Sequence, residues 1–99
     1  MIRGDYTSRK VWIGDKELLP DPSLKVIKHS PDGFAWGYGG SGPSQLALAI
    51  LIELLSDTHT ASRHYQDFKW AYVSKWQGDF AEPVANVKKW IEDNVMKEG

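Results

Sequence analysis

The chain has no cysteine. Disulfides, thiolate nucleophiles and thiolate zinc sites are therefore excluded, and a fold without such staples fits a reducing compartment. Strong charge of either sign is also missing, with a formal net charge of −1. Residues 1–29 carry six Lys/Arg against four Asp/Glu, and residues 30–99 carry six against nine. A solvated surface accounts for so small a split, and nothing in it calls for nucleic acid or an acidic membrane as partner. Long apolar runs are lacking too. Residues 46–55 are interrupted by Glu53 and fall short of the roughly 20 residues of a membrane span. The opening Met1-Ile-Arg-Gly-Asp-Tyr6 holds no apolar core of a secretory signal. The expectation is a soluble protein without membrane contact.

What is present is enough for one core. The chain has 99 residues, 41% of them hydrophobic, and five tryptophans, which suits a single packed domain over residues 1–99. Ile2, Tyr6, Val11 and Ile13 favour strands over residues 2–7 and 9–14. Gly14-Asp15 marks a hairpin turn, with residues 16–19 as the return. Pro20-Asp21-Pro22-Ser23 breaks regular structure. A third strand is expected at 24–29. Ser30-Pro31-Asp32-Gly33 reads as a turn, and residues 34–36 as a short final strand. The sheet therefore occupies about residues 2–36.

Helices should cover it. Ser41-Gly42-Pro43 reads as a helix start, a small capping residue such as Ser41 and then Pro43 at the first helical position, where its missing N–H costs nothing. Leucine, isoleucine and alanine then occupy nearly every side of the cylinder over about 43–56, the pattern of a buried helix. Thr58 or Thr60 caps the next helix, about 60–77, where Ala61, Tyr65, Phe68, Tyr72 and Trp76 form one stripe. Arg63, Gln66, Asp67, Lys69 and Lys75 are assigned to its solvent side. Glu82-Pro83 opens a third helix, about 83–97, with Val84, Val87, Ile91 and Val95 buried, Trp90 beside them and residues 96–99 frayed. The fold class is α+β: an N-terminal antiparallel sheet of three to four short strands on a buried central helix and two amphipathic helices.

The stretch most able to carry chemistry is Gly37-Tyr-Gly-Gly-Ser-Gly-Pro-Ser44. No residue from 33 to 52 is charged, although a quarter of the chain is. The run lacks the Lys-Ser/Thr of a P-loop and the strand–turn–helix setting of a dinucleotide fingerprint. Its N–H groups would nevertheless converge at a helix N-terminus, where an anion is favoured. A small anionic ligand or nucleotide is therefore one expectation. It would be held by Gly39, Gly40, Ser41, Gly42 and Ser44, with Trp36 or Tyr38 stacking and His29 or Lys28 neutralising charge. The plainer alternative is a packing joint, with Trp36 in the core and His29 bonded to turn backbone.

Other chemistry has little to stand on. His29, His59 and His64 form no ligand pair, since the last two would lie about 140° apart on a helix. No metal and no cofactor is expected. Ser41, His29 and Asp32 could nominally make a triad, but no nucleophile-elbow sequence surrounds the serine, so no catalytic residue is assigned. Trp12 alternates away from Val11 and Ile13, and Trp70 falls on the polar side of its helix beside Lys69. Both are read as exposed, forming a surface for a protein partner or for a second copy of the chain.

The run from His29 to Ala49, HSPxGFxWGYGGSGPxQLALA, resembles the signature of a small uncharacterised family of bacterial and phage proteins. Tyr65-Gln-Asp-Phe-Lys-Trp70 and the Gly14-Asp15 turn extend the likeness over residues 5 to about 76. The resemblance implies a bacterial or phage-infected cytoplasm and brings no activity. It also suggests a non-catalytic protein that binds and modulates a host protein, for example a defence component.

Overall fold

The computed structural model describes residues 1–96. Three strands lie near the N-terminus: β1 (Ile2–Asp5), β2 (Lys10–Ile13) and β3 (Lys16–Leu18). They pair antiparallel, with Ile2 opposite Ile13, Gly4 opposite Val11, and Val11 opposite Leu18. The two-residue alternation places Ile2, Val11 and Leu18 inward, and all three are buried. The β1–β2 turn is fastened by Asp5, whose carboxylate accepts from the Ser8 hydroxyl at 2.6 Å. Arg9 completes that turn in the left-handed region, at φ 62°.

The fourth strand comes from the other end of the chain. β4 (Phe80–Glu82) pairs antiparallel with β1, giving the order β3-β2-β1-β4. The α+β class with a four-stranded antiparallel sheet stands, but the strands expected at 24–29 and 34–36 do not form. A single helical turn, α1 (Asp21–Leu24), takes up Pro22 and is tied off by the Ser23 hydroxyl donating to Pro20 O at 2.7 Å. One side chain, Gln45, then takes up backbone groups of Ile27, His29 and Ser30. Its Oε1 accepts from His29 N–H at 2.7 Å and Ser30 N–H at 3.0 Å, and its Nε2 donates to Ser23 Oγ at 2.8 Å and Ile27 O at 3.0 Å. Groups engaged this way are unavailable to a sheet ladder.

The central helix α2 (Ser41–Leu55) is buried at every position from 42 to 51. Ser41 is not its cap. Gly40 holds that place in extended backbone without a side-chain bond, so Ser41 is the first helical residue and Pro43 the third. The next helix, α3 (Thr58–Ala71), is capped by Asp57 rather than by a threonine. Asp57 Oδ1 accepts from the N–H groups of His59 and Thr60 at 3.1 and 3.2 Å, and the Thr60 hydroxyl donates to Oδ2 at 2.7 Å. An aspartate one residue before the helix satisfies the orphan donors that either threonine would have served.

α3 stops at Ala71, six residues before the expected end. Tyr72 leaves helical geometry at φ −129°, a 3₁₀ turn spans Val73–Lys75, and Trp76 is extended. Trp76 is still buried, because the break aims it at Phe80, against which it stacks at 4.0 Å with planes 11° apart. The last helix, α4 (Val84–Asn94), follows Pro83 directly and buries Val87, Ile91 and, just beyond it, Val95. The part of the expected helix and tail at residues 97–99 lies outside the described residues. One hydrophobic cluster joins Ile2, Val11 and Leu18 of the sheet to the buried faces of α2, α3 and α4.

Candidate functional site

Between the turn at Gly33 and the start of α2, the backbone runs as a loop whose aromatic residues go different ways. Phe34 and Trp36 turn inward. Trp36 is 2% exposed. Its Nε1 donates to Gly78 O at 2.7 Å, and edge contacts with Tyr6 at 6.3 Å and Phe80 at 4.9 Å occupy its surroundings. Trp36 is thus a core side chain joining the loop to β4. His29 is also engaged, its Nε2 lying 2.6 Å from the Tyr65 hydroxyl. Among the described residues it bonds neither Ser41 nor Asp32, both of which are exposed.

Tyr38 and Trp70 go the other way, at 53% and 57% exposure. They flank the same short backbone. The Trp70 ring lies where a Cβ on Gly39 would stand, and the Tyr38 ring lies 2.5 Å from where a Cβ on Gly40 would stand. A Cβ on Gly42 would lie 2.6 Å from Ala35 Cβ and 3.3 Å from both Ala35 N and the Tyr38 hydroxyl. The glycine run therefore lets two rings and a neighbouring strand of loop close onto bare backbone. Gly37 belongs to the same device. It sits at φ 89°, its N–H donates to Val73 O at 3.1 Å, and an added Cβ would meet Trp76 O at 2.9 Å.

Beneath Trp70 lies Lys69, which the structure moves from the solvent side to the interior at 5% exposure. Its Nζ donates to Gly39 O at 3.1 Å and stands 4.3 Å from the Trp70 ring centroid. Among the described residues the ion pairs are Lys16 with Glu53 and Lys89 with Asp93, so no carboxylate neutralises Lys69. Its position has a signal in the sequence: four residues after Tyr65 and one after Phe68, it flanks the buried stripe of α3.

The backbone of residues 39–44 is partly engaged. Ser44 N–H closes the first helical bond to Gly40 O at 3.1 Å, and the Ser44 hydroxyl donates to the same oxygen at 3.1 Å. Ser41 and Gly42 N–H have no acceptor among the described residues, and Ser41 is exposed. The other tryptophan expected at the surface, Trp12, is half-buried, with the Arg3 guanidinium 5.3 Å from its ring centroid. It sits on β2.

No group of three His, Asp or Glu side chains among the described residues is placed to hold a metal ion. Among the same residues no helix is long and apolar enough to cross a membrane.

Fold and surface together define a small α+β domain whose most distinctive feature is a pair of exposed aromatic rings on a glycine-rich loop before a buried helix. The chain belongs to a family of unknown function, DUF6166, whose model matches residues 3–93. No curated protein and no solved structure matches it.

Proposed function

We propose that the chain is a non-catalytic binding module that engages a protein partner through Tyr38 and Trp70. The observation that carries this reading is the pair itself: two large amphipathic rings, each more than half exposed, mounted over adjacent glycines. Tyrosine and tryptophan supply contact area with little conformational freedom to lose, which is why they dominate interface hot spots. The mount is firm. Lys69 ties Gly39 O to α3, and Gly37 N–H ties the loop to Val73. The absence of cysteine suits a reducing cytoplasm, and a bacterial or phage-encoded protein acting on a host protein fits this reading.

The test is affinity capture from bacterial lysate with the wild-type chain and a Tyr38→Ala/Trp70→Ala variant as paired baits. Both substitutions fall on exposed rings, so the variant should keep its circular dichroism spectrum. Proteins held by the wild type and lost by the folded variant support the reading; identical capture by both baits overturns it.

A second reading draws on the unengaged N–H groups of Ser41 and Gly42. A small anion or nucleotide would sit against Gly39, Gly40, Ser41 and Gly42, with Tyr38 as the available stacking ring; Ser44 is not available, since its N–H and hydroxyl both serve Gly40 O. Amide chemical-shift titration with a nucleotide panel tests it. Absence of shifts at residues 39–44 at millimolar concentration removes it.

A further inference from the structure

We infer that the chain carries a second binding site, for a free α-amino acid with an apolar side chain, in the cleft between the β1–β2 turn and the turn at Asp32-Gly33. It goes beyond the partner-binding reading, since neither Tyr38 nor Trp70 lines this cleft. The cleft lies past the end of the β2–β3 ladder, whose last pair is Val11 with Leu18. Its volume is about 190 Å³. A cavity of roughly 150 Å³ holds a benzene molecule, and pockets for drug-sized ligands begin at roughly 300 Å³. The space therefore suits a molecule of amino-acid size and is too small for a nucleotide.

The lining has two chemistries. Leu18 and Phe34 give it an apolar side, both being core residues that reach the cleft from below. Four charged side chains border it as well: Arg9 and Lys10 on one side of neutrality, Glu17 and Asp32 on the other. Among the described residues the ion pairs are Lys16 with Glu53 and Lys89 with Asp93, so these four do not neutralise one another. A lone anion would meet the two carboxylates, and a lone cation the two basic groups. A small zwitterion with an apolar body offers a partner to both signs and to the apolar side at once.

Arg9 is the independent observation. It sits in the left-handed region at φ 62°, where glycine, asparagine or aspartate is at ease and arginine is strained. Glycine would close the turn with less strain, so what arginine adds is its side chain. Nε donates to Tyr6 O at 2.7 Å, and the guanidinium carbon lies 4.1 Å from the Tyr6 ring centroid and 5.7 Å from that of Trp36. Two rings and a carbonyl thus hold the group in one place, while its terminal N–H donors meet no acceptor among the described residues. The carboxylates beside this turn are engaged elsewhere. Asp5 accepts from the Ser8 hydroxyl at 2.6 Å, and Asp79 accepts from Tyr6 N–H at 2.8 Å. A fixed guanidinium with its fork free is suited to a carboxylate. The carboxylate of the amino acid would pair with Arg9, its ammonium with Asp32 or Glu17, and its side chain would rest on Leu18 and Phe34.

The test is a nuclear magnetic resonance titration of the full chain with the free proteinogenic amino acids, one at a time. Leucine, methionine or phenylalanine should shift the amides of Ser8, Arg9, Gly33 and Phe34 saturably at millimolar concentration. The N-acetyl and methyl-ester forms of the binding amino acid each lack one charge and should bind roughly tenfold more weakly. Arg9→Gly relieves the strained φ and should stay folded by circular dichroism while losing the shifts. Glu17→Gln/Asp32→Asn changes two exposed side chains without altering their shape. It should weaken the free amino acid roughly tenfold and leave its N-acetyl form unchanged. The Tyr38→Ala/Trp70→Ala variant should bind as the wild type does. No saturable shift from any amino acid overturns the inference, as does an N-acetyl form that binds as tightly as the free one. Shifts that persist in folded Arg9→Gly overturn it too. If Arg9→Gly fails to fold, the double carboxylate variant decides, and undiminished binding there overturns the inference. Each of these failures leaves the partner-binding reading standing.

Discussion

At the scale of the residue, the glycines before α2 are not equivalent, and the difference is measurable. A methyl on Gly42 would press on Ala35 Cβ at 2.6 Å and on Ala35 N at 3.3 Å, part of which is backbone. Gly42→Ala is expected to destabilise the chain by about 1–3 kcal/mol in a urea melt. A methyl on Gly39 would meet the ring of Trp70, an exposed side chain able to swing away. Gly39→Ala should therefore leave stability nearly unchanged and weaken partner binding; equal losses in both assays would mean that Trp70 is structural. Gln45 gives a second prediction. It is fully buried and serves two N–H groups, a carbonyl and a hydroxyl. Gln45→Leu strands several of these and should reduce stability by about 3 kcal/mol. The expected signature is a lower denaturant midpoint with an unchanged slope. Such roles are hard to read from a sequence. Lys69 is expected on the solvent side of its helix, and nothing local in the sequence marks Gln45. Only the placement of residues 23–30 and of Gly39 shows what either side chain bonds.

At the scale of the element, the legible features were those carried by local pattern. The hairpin of β2 and β3 follows from alternation and Gly14, and α2 follows from its apolar circumference after Pro43. At a boundary the local reading failed: Thr58 or Thr60 is the cap expected from sequence, and the helix is capped by Asp57 one residue earlier. That cap predicts a pH dependence. The Thr60 hydroxyl, ahead of the Thr60 and His59 N–H groups, holds the Asp57 carboxyl below the ordinary carboxylate range. A carboxyl lowered in the folded state stabilises above its unfolded pKa, about 3.9, and that stabilisation is lost as pH falls through the lower folded value. The Asp57→Ala variant should therefore melt below the wild type at pH 7. The gap should narrow below pH about 4 as the wild type loses its own advantage. A gap that stays constant down to pH about 2 would show that the ionised cap is not its source.

At the scale of the whole molecule, the element missed by local reading is the one that ties the ends together. β4 has three residues and no alternation to announce it, yet it completes the sheet beside β1. Phe80 enters between Trp36 and Trp76, at 4.9 and 4.0 Å between ring centroids. Asp79 Oδ1 accepts from Tyr6 N–H at 2.8 Å, across 73 residues of chain. Beyond it, Val87, Ile91 and Val95 are buried in the common cluster and Trp90 lies 5.4 Å from Phe68. Burial of Phe80 and these three aliphatics is worth on the order of 10 kcal/mol at about 1.5–3 kcal/mol each. A domain of this size is stable by about 5–15 kcal/mol in total. A chain ending at Gly78 keeps β1–β3, α2 and α3, including every residue of the proposed binding face. It should nevertheless lose its cooperative thermal transition and its near-ultraviolet dichroism, because Trp36 and Trp76 lose the ring between them. Adding a peptide of residues 79–96 should restore part of the signal by re-forming the β1–β4 pair. A truncated chain that melts cooperatively with native dichroism would instead make the first 78 residues the folding unit, with β4 and α4 as an addition to it.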